Sequence, residues 1–116
     1  MRHHNAIRKF GRETDQRRAL LRSLAINLIN NGKIVTTEAR AKELRPFVEK
    51  IITRGKADTL GSKKLLISKL NDKKAAGEVV RNISKKYKEK MGGYTRIVKA
   101  GKRKGDGSKM ALIEFV

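Results

Sequence analysis

Residues 92–116 read GGYTRIVKAGKRKGDGSKMALIEFV. Two runs rich in strand-forming side chains, Tyr94–Ala100 and Met110–Val116, flank a segment of Gly, Lys, Arg, Ser and a single Asp. β-Branched and aromatic residues suit a pleated, half-buried surface, so the runs predict the two strands of a C-terminal hairpin. A minimal hairpin turn needs only two residues, whereas the loop at about 100–109 is far longer, and its composition predicts a mobile, strongly basic tip. Since most of the chain before it carries helical spacing, this stretch decides between an all-α and an α+β fold.

Working outward, Leu20, Leu21, Leu24, Ala25, Leu28 and Ile29 recur at steps of three and four, and Asn30-Asn31-Gly32 supplies a stop. An amphipathic helix from about Asp15 is expected. Lys33-Ile34-Val35-Thr36 predicts a brief strand, and Thr37-Glu38 offers a capping hydroxyl followed by an acid in a first turn. The next helix carries a stripe of Leu44, Phe47, Val48, Ile51 and Ile52, with Pro46 expected to bend or divide it and Gly55 to close it. Two further helices are expected, at Lys63–Leu70 and at Asp72–Met91, the latter capped by Asp72. The order is α-β-α-α-α-β-β. Three strands cannot bury both faces, so the helices should pack on one face of a small sheet in a two-layer α+β domain spanning 15–116, preceded by a basic N-terminal arm at 1–14.

Thirty Lys and Arg against eleven Asp and Glu leave a net charge of +19 in 116 residues. So large an excess promotes binding to polyanions. There are no cysteines, which excludes disulfides and thiolate metal sites. The N-terminal stretch lacks the apolar segment of a signal peptide, and no run of about 20 apolar residues could span a bilayer. A soluble, intracellular protein that binds no membrane is expected.

Enzymatic readings fail on spacing. A nucleotide-binding P-loop requires GxxxxGK followed by Ser or Thr between a strand and a helix, and the segment GKRKGDGSK at 101–109 matches neither condition. His3 and His4 are adjacent, with no carboxylate close in sequence, so they suit a surface or a nucleic acid better than a metal or a catalytic triad. Neither catalysis, a cofactor, a metal nor a small-molecule substrate is expected.

The cations form three groups. Arg2, Arg8, Lys9 and Arg12 of the arm, with His3 and His4 among them, run into Arg17, Arg18 and Arg22 on the first helix, where positions 18 and 22 share a face. Arginine suits bidentate phosphate contacts. A lysine-rich group at 63–90 reads, for about half its members, as the wet face of amphipathic helices, with phosphate contact open to the others. The hairpin supplies Arg96, Lys99, Lys102, Arg103, Lys104 and Lys109, with glycines that let backbone amides approach a phosphate. Lys33 completes the candidate nucleic-acid-binding set. Phe47, Tyr87 and Phe115 fall on apolar stripes, leaving Tyr94 and Phe10 as candidate base-stacking residues, so phosphate and shape contacts should dominate.

The chain resembles the bacterial large-subunit ribosomal protein family L-seventeen. The resemblance rests on MRH at the start, RKFGR at 8–12, RRALLRSLAINLI from Arg17, GKIVTTEARAKELRPFVEKIIT at 32–53, GGYTRI at 92–97 and KGDGSKMALIEFV at the end. Departures are small: the family often has Arg where this chain has His4 and Lys104, and His where it has Gln16. The match is least specific at 58–91. The resemblance implies an α+β domain with a small mixed sheet, bound to large-subunit ribosomal RNA beside neighbouring ribosomal proteins. It places that domain on the solvent side, near the exit of the peptide tunnel. It implies a cytoplasmic, structural role in ribosome assembly, without catalysis. The +19 charge alone would equally suit a nucleoid-type DNA-binding protein.

Overall fold

A computed structural model of the chain describes residues 14–116. Helix α1, Thr14–Asn31, stops where Gly32 adopts a φ of 80°, a left-handed conformation that suits the residue after a helix. Strand β1, Lys33–Thr37, leads directly into α2, Glu38–Gly55, whose first turn is capped by the Thr37 hydroxyl accepting the Arg40 N–H at 3.3 Å. Pro46 lies inside α2 without dividing it. The donor it lacks would have met the carbonyl of Lys42, and both residues are exposed, so water can take its place.

Helix α3, Leu60–Leu70, begins three residues before its expected start at Lys63, because Thr59 caps it through the Ser62 N–H at 3.1 Å. Helix α4 is composite: an α-helical turn Lys73–Glu78, a π-helical segment Val79–Ile83 and a last turn Ser84–Lys86. Asp72 caps it as its position suggests, accepting the Ala75 N–H at 3.0 Å. The helix ends short of Met91 because Tyr87 turns inward. Its ring meets that of Tyr94 with centroids 5.2 Å apart, and its hydroxyl donates to the Val116 carbonyl.

Strands β2, Thr95–Lys102, and β3, Lys109–Phe115, form the hairpin, and the sheet order is β1-β3-β2. Both pairings are antiparallel, which corrects the expectation of a mixed sheet. The hairpin runs β3 opposite to β2, and β1 adds to the remaining edge of β3, so no two parallel strands are neighbours. No local signal marks which edge β1 would join, and that choice is made by packing.

One sheet face, with Ala111, Ile113 and Thr95 buried, meets the helices, while Val35 and Val98 stay exposed on the other. The core draws Leu28 from α1, Leu44, Val48 and Ile52 from α2, Leu66 and Leu70 from α3, Val79 from α4 and Tyr94 from the segment before β2. Gly55 sets the approach of α2 to α4. A methyl placed there would lie 2.4 Å from Ser84 Oγ and 3.0 Å from Val79 Cγ1, and the Ser84 hydroxyl already donates to the Ile52 carbonyl at 2.8 Å in the interior. Gly55→Ala gains helix propensity of up to about 1 kcal/mol but must displace this contact, so a net destabilisation of about 1–3 kcal/mol is expected. An unchanged midpoint in urea unfolding would contradict it.

Candidate nucleic-acid interface

The hairpin tip is built by a bulge and a closed turn. Lys99 pairs with Ala111 and Lys102 with Lys109, so β2 carries one extra residue between those pairs, and Gly101 takes it up at a φ of 85°. A bulge of this kind sharpens the local twist and re-aims the strands beyond it. The loop itself, 103–108, is shorter than the expected 100–109 and is closed by backbone hydrogen bonds. Arg103 N–H donates to the Ser108 carbonyl and Gly107 N–H to the Arg103 carbonyl, both at 2.8 Å.

Arg103 turns its guanidinium back on Asp106, with Nε and Nη2 at 3.1 and 2.7 Å from the two carboxylate oxygens, and the Ser108 N–H reaches the same carboxylate at 3.0 Å. Arg103 first, then Ser108, holds the Asp106 carboxyl well below the usual carboxylate range. Because folding lowers this pKa, the turn's stabilisation is complete above the ordinary carboxylate pKa of about 4 and fades only as the pH falls below it.

The remaining tip cations have no such outlet. Lys102 faces Lys109 across the ladder, and like charges directly opposite oppose pairing. Lys99 and Lys109 share the helix side of the sheet, close to the start of α2. There Glu38 meets Lys42 at 3.0 Å, and its carboxyl is depressed by Lys42 first and by Lys99 and Lys109 after it. Thr37, Glu38, Lys42, Ser108 and Lys109 line a shallow depression of about 400 Å³ between tip and helix. With Lys104 exposed on the loop, Lys42, Lys99, Lys102, Lys104 and Lys109 gather around Glu38, while the tip's other described acid, Asp106, is held by Arg103.

Arg96 and Lys33 lie elsewhere. Both are register partners of Glu114, five residues along β3 from Lys109, or about 17 Å at strand rise. Arg96 Nε donates to Glu114 Oε1 at 3.0 Å. On α1, Arg18 is exposed and Arg17 and Arg22 are half-buried. Arg22 Nε donates to the Lys69 carbonyl at 3.2 Å, tying α1 to the end of α3. Arg2, His3, His4, Arg8, Lys9 and Arg12, with Phe10, lie outside the described residues.

Tyr94 is no stacking platform. It is fully buried, with its hydroxyl 3.0 Å from that of Thr53 and the Lys56 ammonium 4.7 Å from its ring centre. Two cations escaped the sequence reading, Lys50 and Arg54, although their spacing of four on one helix face was available as a signal. Among the described residues there is no cluster of three or more His, Cys, Asp or Glu that could hold a metal ion, and no helix long and apolar enough to cross a membrane.

The family model described as "Ribosomal protein L17" matches residues 20–116. The chain is 48% identical over 116 residues to the "Large ribosomal subunit protein bL17" of Gemmatimonas aurantiaca, covering 100% of this chain and 98% of that protein. It is 47% identical to the protein of the same name from Campylobacter jejuni, with 100% and 99% covered. For the Fusobacterium nucleatum protein of that name the identity is 46%, with both chains covered in full.

Proposed function

The chain belongs to the ribosomal protein L17 family, and we propose that it is a structural constituent of the large ribosomal subunit in the cytoplasm that binds and stabilises large-subunit ribosomal RNA. The observation that carries this reading is the cationic hairpin tip, where Lys102 sits opposite Lys109 and, among the described residues, Glu38 is shared by Lys42, Lys99 and Lys109 while Asp106 is held by Arg103. Such a cluster is costly alone and becomes favourable when phosphates neutralise it.

The mechanism is charge neutralisation with release of counterions, combined with the fit of a twisted, bulged prong to folded RNA. Lys99, Lys102, Lys104 and Lys109 engage phosphates, while Arg103 keeps the prong in shape. Arg17 and Arg18 on α1, the arm at 1–14 with Arg2, His3, His4, Arg8, Lys9 and Arg12, and Lys33 with Arg96 beside Glu114 supply contacts on other faces. The body at 15–116 holds these surfaces in fixed relation, and no step is catalytic.

If about eight phosphates are engaged, log affinity for deproteinised large-subunit RNA falls with log salt at a slope of about −6. Filter binding between low and physiological salt measures this, with duplex DNA as competitor. A slope near zero, or equal competition by the DNA at physiological salt, would overturn the reading.

A further inference from the structure

An open groove of about 920 Å³ runs between α2 and α3, away from the hairpin tip. Its apolar lining comes from Phe47 and Pro46 on α2 and Leu65 and Leu66 on α3. Phe47 packs against the core while remaining only half-buried, so part of the ring is left to the groove. Lys50, Arg54 and Lys69 stand on its rim, all exposed, and none forms an ion pair with a carboxylate among the described residues. Arg22 is brought to the Lys69 end by its bond to that residue's carbonyl.

Among the described residues that line the groove there is one acid, Glu49, and that acid is occupied. It accepts the Thr95 hydroxyl at 2.9 Å and faces Arg45 at 3.5 Å. The field over the groove is therefore positive, which disfavours the chain's own basic arm as occupant and favours an anion. A bare phosphate would leave the apolar walls wet. A nucleotide satisfies both parts, with a flat apolar base for the Phe47 and Leu65 walls and phosphates for the rim. The volume falls in the range of about 300–1,000 Å³ common to small-ligand clefts.

We propose that this groove is a nucleotide subsite that receives one unstacked nucleotide of the bound RNA, the base lying against Phe47 and the flanking phosphates held by Lys50, Arg54 and Lys69. The inference rests on the RNA-binding reading above and adds a further contact face to it. Single-stranded loops and bulges offer such splayed bases, and aromatic rings with cationic neighbours receive them without regard to sequence.

The chain has no tryptophan, so a substituted one is a sole reporter. Phe47→Trp and, separately, Leu65→Trp would be titrated with deproteinised large-subunit RNA while filter retention measures occupancy. Leu60→Trp, at an exposed position at the start of α3 outside the groove lining, serves as the control. Emission of both groove variants is expected to be quenched in step with occupancy, with the control unchanged, and Lys50→Gln with Arg54→Gln in the Phe47→Trp protein should remove the quench at equal occupancy. RNA retention with unquenched groove variants would overturn the subsite and leave the RNA-binding reading standing. Quenching only on addition of the other large-subunit proteins, and not by RNA, would overturn it in favour of a protein side chain in the groove. Absence of any RNA retention would overturn both.

Discussion

Replacing Lys102, Lys104 and Lys109 together with Gln is expected to weaken binding to large-subunit RNA on the order of a hundredfold at about 0.1 M salt and to reduce the salt slope by about 2 to 3. On the proposed reading, each lysine removed is one phosphate contact and its released counterion. The fold should be unharmed, because all three side chains are exposed and the Lys102–Lys109 pair opposes the ladder it sits on. Stability in urea should stay level or rise by a few tenths of a kcal/mol. Arg103 is left intact on purpose, since its guanidinium holds Asp106 and the turn, and changing it would mix lost shape with lost charge. Wild-type affinity in the triple variant would refute the tip as an RNA contact.

Tyr94→Ala is expected to cost about 3–5 kcal/mol, the range for removing a buried aromatic ring. Tyr94 is fully buried, it packs on Tyr87, its hydroxyl bonds Thr53, and Lys56 lies over the ring. Against a total stability of about 5–15 kcal/mol for a domain of this size, that is a large share, and the melting temperature should fall by about 10–20 °C. Tyr94→Phe keeps the ring and gives up only the hydroxyl contact, so it should cost about 0.5–1.5 kcal/mol. Equal losses for the two variants would show that the ring itself contributes little.

Helices α1 and α2, the strand between them, the caps Thr37 and Asp72 and the C-terminal hairpin were legible because each depends on a few neighbouring residues. The 3–4 spacing of Leu20 to Ile29 and the β-branched Ile34-Val35-Thr36 run are local signals. Tyr94 misled for the opposite reason. It follows two glycines and precedes a strand, a position as consistent with a surface platform as with a core plug, and its burial depends on Thr53, Lys56 and Tyr87, which are 41, 38 and 7 residues away. The closure of the loop at 103–108 was not legible because glycines and lysines speak only of composition, while the pairing of Arg103 with Asp106 depends on the geometry of the turn.

The sequence by itself determined the charge excess, since +19 is a sum that no folding rearranges, and it determined most of the helices and strands, since backbone periodicity is local. Only the tertiary structure decided that β3 lies between β1 and β2, that Gly55 lets α2 close on Ser84, that Arg103 serves the turn while Lys102 and Lys109 face each other, and that Lys50, Arg54 and Lys69 rim one groove. Each of these joins residues far apart in the chain or facing across a turn. Such pairings are selected by which apolar surfaces can be buried together, a property of the packed whole that no single segment carries.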